Sequence, residues 1–244
     1  MRTPSEMKDK LQQLSEDERF ISGIYNYCDR WCERCSFTSR CMNYSFEKDA
    51  PPADGPEIWD YLQNVFEATS LMLDEIMVKM GIHPPDLEIV SNTPDFDTEK
   101  HSLLLMAGKI TSEMHEWLEQ NSENIKHADA RQTFNKKDKK EFDINDAVEV
   151  INWYIFFTPA KIARALSGLR NEDIISEHFD ADGSAKIALI AIDRLIASWT
   201  VIMNALPALE DEVLKILIDL SSLRKQTEIV FPNARLFVRP GFDE

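Results

Sequence analysis

Apolar residues recur at three- and four-residue intervals along most of this chain of 244 residues, and the breaks in that rhythm fall at proline, glycine and clustered polar residues. Thr3-Pro4-Ser5-Glu6 supplies an N-cap, a proline at the first helical position and an acid two residues on, so a short amphipathic helix is predicted over Met7 to Leu14. Ser15-Glu16-Asp17-Glu18 reads as a second start. Phe20, Ile21, Ile24 and Tyr25 follow it at helical spacing, and the predicted helix runs into Cys28. Pro51-Pro52 and Asp54-Gly55-Pro56 end that region and open a long helix over about 57–80, with Ile58, Trp59, Leu62, Val65, Phe66, Leu73 and Met77 expected inward.

Pro84, Pro85 and Pro94 make 82–98 a crossing loop. A helix follows over about 99–121 through Leu103, Met106, Ile110, Met114 and Trp117, and 122–142 is polar and only partly helical. The helices predicted at about 144–168 and 184–205 are apolar on every side, over Val150 to Phe157 (Asn152 excepted) and Ile187 to Ile192, as central helices are. The last, about 208–227, packs through Val213, Leu214, Leu217 and Leu220. The resulting expectation is an all-α fold: a bundle of about five long helices with an N-terminal cysteine-rich metal-binding segment. Residues 1–50 would carry the N-terminal helices and that segment, 51–230 the bundle, and 231–244 an extended tail packed on it. Trp59, Trp117, Trp153 and Trp199 are expected as core anchors.

Composition narrows the class. Apolar residues at 43% and charged residues at 29% match a soluble globular protein. No stretch approaches the apolar length of a membrane span, and Met1 to Lys10 lacks the apolar core of a signal peptide, so a cytoplasmic location without membrane contact is expected. A net charge of −16 repels a phosphate backbone and disfavours nucleic acid as a partner. Protein partners are expected instead.

The candidate chemistry is concentrated. All four cysteines of the chain fall in one fourteen-residue stretch, as Cys28, Cys32, Cys35 and Cys41. In a reducing cytosol thiols stay free, so metal binding takes precedence over a disulfide framework. On a straight helix three of these sulfurs would be strung out at 1.5 Å per residue, so the chain must bend, with the bend expected after Cys32. Structural zinc sites pair two short knuckles across a dozen or more residues, whereas the largest gap here is five. One short segment can wrap a cubane, so the spacing favours iron–sulfur, with zinc as the alternative. The four sulfurs should lie about 6–7 Å apart around a cubane and about 3.7 Å apart around one zinc. Arg30, Arg34 and Arg40 would stabilise an anionic centre of either kind, and Trp31 and Phe37 would shield it from water.

Cys32-Glu-Arg-Cys35-Ser-Phe-Thr-Ser-Arg-Cys41 resembles the cysteine-x2-cysteine-x5-cysteine end of the [4Fe–4S] loop in endonuclease III-type DNA glycosylases. It resembles still more the iron-staple of bacterial recombination helicase–nucleases, where an aromatic often sits two residues after the middle cysteine, as Phe37 does. The resemblance covers about ten residues and implies a [4Fe–4S] cluster of structural role. The helix–hairpin–helix glycines and the nuclease carboxylate–lysine signature of those families are missing, so their activity does not transfer. Cys28-x3-Cys32-x2-Cys35 also has the spacing of radical S-adenosylmethionine enzymes, but Arg34 replaces their aromatic and Cys41 can fill the iron they leave open.

No catalytic constellation is identified. Glu67, Glu113, His115, Glu116 and Glu149 invite a di-iron reading, yet no Glu-x-x-His occurs, and solvated helix faces explain these acids. Glu149 and Arg194 either pair in a buried contact that fixes helix register or sit exposed on the helix rims. Residues 126–140 form the one basic island, with Phe134 inside it, and read as a solvated connection. His83, His101, His127 and His178 are scattered singly. The functional expectation is a [4Fe–4S] protein with a structural, redox-sensing or electron-transfer role. The alternative is a structural-zinc scaffold acting through protein partners.

Overall fold

A computed structural model describes residues 3–81, 100–135, 143–170 and 179–243. Among them are eight α-helices and no strand: α1 (Pro4–Ser15), α2 (Met42–Glu47), α3 (Ile58–Met80), α4 (Ser102–Gln120), α5 (Ser122–Asn135), α6 (Ile144–Arg170), α7 (Phe179–Ala205) and α8 (Glu210–Val230). The all-α expectation holds, and the five long helices stand within a few residues of their predicted ends. The chain divides into two compact units, Met1–Thr93 with Arg239–Glu244, and Pro94–Val238. The long helices are therefore shared out, with α3 in the first unit and α4, α6, α7 and α8 in the second.

In the first unit α1 begins as its sequence dictates. The Thr3 hydroxyl accepts from the Glu6 amide at 3.4 Å, while Glu6 Oε2 accepts from the Thr3 amide at 2.8 Å, a reciprocal capping box with Pro4 at the first turn. Met7 then packs with Tyr61 and Ala68 of α3, backed by Phe46, Ile58, Leu62 and Val65. The buried stripe of α3 thus runs 58, 61, 62, 65, 68, and not through the largest side chains. Trp59 is 75% exposed, Phe66 71% and Leu73 54%, which corrects the inward face expected for this helix. Ala68, fully buried, lies with Met7 of α1 in this cluster.

The second helix predicted from Ser15 into Cys28 does not form. Gly23 adopts φ 72°, a left-handed conformation that stops a helix, and only a 3-10 turn over Ile24–Tyr27 survives.

The second unit is built on α7. Its most extensive pairing is with α6, then with α8, while α4 packs on both α6 and α8. Ile187, Leu189, Ile192, Leu195, Trp199 and Ile202 of α7 are buried, as its all-round apolarity predicts. Contrary to the sequence reading, Asp180–Ala205 is long and apolar enough by composition to cross a membrane. Neighbouring helices flank it here as a core helix. Trp117 and Trp199 meet edge to face at 5.1 Å, and the Trp117 indole N–H donates to Glu212 at 2.8 Å. Of the four tryptophans expected as anchors, Trp117 and Trp199 are buried and Trp153 is half-buried, whereas Trp59 is not in the core. Glu149 and Arg194 are both exposed, so they form no buried pair. Arg194 instead lies over the Tyr154 ring at 5.2 Å and donates to its hydroxyl.

The expected tail of 231–244 is divided. Phe231 and Ala234 are buried in the second unit, where Arg235 bonds Asp193 at 2.7 Å and Glu228 at 2.9 Å. Residues 239–244 belong to the first. The predicted loop at 82–98, the part of the basic island beyond Asn135, His83 and His178 lie outside the described residues.

A four-cysteine pocket as candidate metal centre

Between α1 and α2 the chain makes a loop closed at its base by a backbone hydrogen bond from the Ile21 amide to the Arg40 carbonyl, 3.0 Å. Inside it there is no α-helix, only 3-10 turns at Ile24–Tyr27, Cys32–Arg34 and Thr38–Arg40. The reversal comes before Cys32, not after it. Arg30 takes φ 59°, in the left-handed region that costs a side-chain-bearing residue about 1–2 kcal/mol. The Asp29 carboxylate supports this turn by accepting from the Trp31 amide at 3.2 Å. Cys28 and Cys32 are thereby folded toward each other, while the 3-10 turns bring round Cys35 and Cys41.

All four cysteines are free, half-buried and line one pocket. The pocket is partly open to solvent. Its remaining wall is largely aromatic: Tyr25, Trp31, Phe37, Tyr44 and Phe242, with Ile24 at the floor. Trp31 is 6% exposed and carries the Arg34 guanidinium over its ring at 4.3 Å. Phe37 packs edge to face on Phe242 at 4.9 Å. The two aromatics expected as shields do line the pocket. Phe242, about 200 residues away in sequence, was legible only as one of several phenylalanines in a tail expected to be bound down.

Backbone amides are aimed at the sulfurs. Phe37 N–H donates to Cys35 Sγ at 3.4 Å and Tyr44 N–H to Cys41 Sγ at 3.5 Å, the latter capping α2. The Arg30 amide also hydrogen-bonds Cys28 and, with its side-chain charge, favours the thiolate there. Such amide-to-sulfur bonds are the means by which proteins hold and tune metal thiolates. In the metal-free chain burial dominates: it pushes the Cys28 thiol up, and pushes Cys32 to about 11 with help from Glu47 and the other three cysteines. That Cys32 feels Cys28, Cys35 and Cys41 at once is the mark of four sulfurs in electrostatic range of one another.

The arginines take separate places. Arg30 pairs with Glu47 at 3.8 Å, Arg34 stacks on Trp31, and Arg40 is exposed, its carbonyl closing the loop. Among the described residues no three His, Cys, Asp or Glu side chains converge closely enough to hold a single metal ion. The sulfurs surround a pocket, not a point. Four soft donors line one mostly apolar pocket, and two of them accept from backbone amides.

The acids considered for a di-iron site are spread over surfaces. Glu113 contacts Lys109 at 3.7 Å and Lys215 at 3.5 Å, while His115 contacts Glu119 at 3.5 Å. His101 accepts from the Leu103 amide and caps α4.

Comparison with protein-family models, with curated proteins and with solved structures returned no match for this chain.

Proposed function

We propose that Cys28, Cys32, Cys35 and Cys41 bind one [4Fe–4S] cluster, and that the cluster staples the loop between α1 and α2. The observation that carries this reading is that all four cysteines line a single pocket. A structural role is supported by how little else orders the loop. From Ile21 to Arg40 only Ile24 and Trp31 are buried, too few apolar contacts to offset the entropy of fixing those residues. Metal binding would supply the difference, because a site that is absent from the unfolded chain adds its binding energy to folding. Redox sensing or electron transfer to a protein partner in a reducing, cytoplasmic setting is compatible with the same centre.

The test is anaerobic purification followed by iron, sulfide and zinc analysis with an absorption spectrum. Four iron and four sulfide per chain with broad absorbance near 400 nm are expected for a cubane. One zinc per colourless chain would replace this reading with the structural-zinc scaffold, and neither metal would remove both.

A further inference from the structure

We propose that the turn Arg239–Asp243 is a lid on the cysteine pocket, with Phe242 as the ring that closes it. The inference rests on the reading of that pocket as the metal centre and adds what controls access to it. Phe242 contributes to the pocket wall itself, from the far end of the chain. Its ring is held on both sides: Phe37 meets it edge to face at 4.9 Å, and the Arg239 guanidinium covers it at 4.9 Å.

The backbone that presents the ring is built for that purpose. Arg239 and Asp243 are tied by a guanidinium–carboxylate bond of 2.8 Å, their side chains only 17% and 22% exposed. The Arg239 amide adds a bond to Asp243 Oδ2 at 3.0 Å, and the Arg239 carbonyl accepts from the amides of Phe242 and Asp243, each at 3.2 Å. Gly241 lies at φ 74°, and a Cβ there would sit 2.7 Å from Ile21 Cδ1 and 3.1 Å from Ile24 Cδ1. The turn lies against the base of the cysteine loop, and its positive φ favours glycine at this position.

None of these contacts is covalent, and they are confined to the Phe242 ring and the Gly241 backbone against Phe37, Ile21 and Ile24. The lid can therefore lift without unfolding α1, α2 or α3, which share their own core around Met7, Tyr61 and Ala68. Lid closure and occupancy of the pocket are linked, since whatever binds better under a closed lid favours closure in return.

Full-length Phe242→Ala and Gly241→Ala test this with two readouts. In the metal-free, reduced protein, iodoacetamide should alkylate the four thiols about tenfold faster in either variant, the scale expected when an edge-to-face pair and a cation–π contact are lost together. In anaerobically loaded protein, absorbance near 400 nm should decay correspondingly faster in air. Should Phe242→Ala lose helix content by circular dichroism, Phe242→Leu takes its place, because it still lacks the ring contacts to Phe37 and Arg239. Parental alkylation rates in both variants overturn the lid, whatever metal the protein holds. Faster alkylation in a protein that never takes up iron or zinc leaves the lid standing and removes the metal reading. A stable cluster whose decay in air ignores both variants does the reverse.

Discussion

The Thr111 hydroxyl on α4 donates to the Ile155 carbonyl on α6 at 2.9 Å, and the bond fills a gap that Pro159 creates. In an uninterrupted helix the amide of residue 159 would bond that carbonyl, but proline has no N–H. Thr111 is 7% exposed and Ile155 1%, so no bulk water replaces the missing donor. Thr111→Val keeps the shape and removes the hydroxyl. It should cost about 1–3 kcal/mol in urea unfolding, the penalty for a buried unsatisfied carbonyl. In a Pro159→Ala background, where the helix supplies its own donor, the same change should cost distinctly less.

Ala68 and Trp59 should respond in the opposite order to their size. Ala68→Leu forces three extra heavy atoms into the seam between α1 and α3 and should destabilise the first unit by about 1–3 kcal/mol. Trp59→Ser removes a side chain that is three-quarters exposed and should shift stability by no more than about 0.5 kcal/mol. Urea midpoints of the two variants settle the assignment of the buried face.

Cys35→Ala should lose the centre and the order of the loop together. Amide exchange within residues 21–41 should become fast, while protection in α7 around Trp199 stays at the level of the parent chain. Full metal content in this variant would contradict the shared site.

Acid should loosen α1 from α3. The hydrogen bond from Lys8 holds the Glu75 carboxyl below the ordinary 4.5, with partial burial opposing it. A depressed carboxyl contributes stability that is present above its unfolded pKa and is lost as pH falls through the folded one. Protection of α1 amides should therefore fall as the pH drops below the ordinary carboxyl range in the parent chain. In Lys8→Gln it should be lower at the start and change less over the same drop.

The sequence carried the helices where local chemistry and tertiary packing agree. Thr3, Pro4 and Glu6 announce α1 without reference to anything distant, and the all-round apolarity of Ile187 to Ile192 marks a central helix by itself. It misled where a local pattern admitted two outcomes. On α3 apolar residues cover more than one face, and the face that meets Met7 of α1 carries Tyr61 and Ala68, while Trp59 points to solvent. After Ser15 the helical spacing of Phe20 to Tyr25 was real, but one left-handed glycine outweighed it. The grouping of the four cysteines around one pocket was legible in its members, because four thiols in fourteen residues need no tertiary information. Its bend at Arg30 was not, since arginine carries no preference for that conformation and only the Asp29 turn and the closed loop impose it. Phe242 could not be assigned from local pattern at all, as nothing near it refers to Cys28 or Cys41.

That separation sets an order of assembly on the ribosome. Cys41 and Phe242 are about 200 residues apart, so at roughly 5–20 residues per second the four thiols emerge on the order of 10–40 seconds before the ring that covers them is made. Throughout that interval the nascent cysteine loop is not covered by Phe242, and a metal delivered then would meet an open site. Phe242 is the last part of the pocket wall to be translated, so a centre held by the four thiols would be loaded before the ring could close on it.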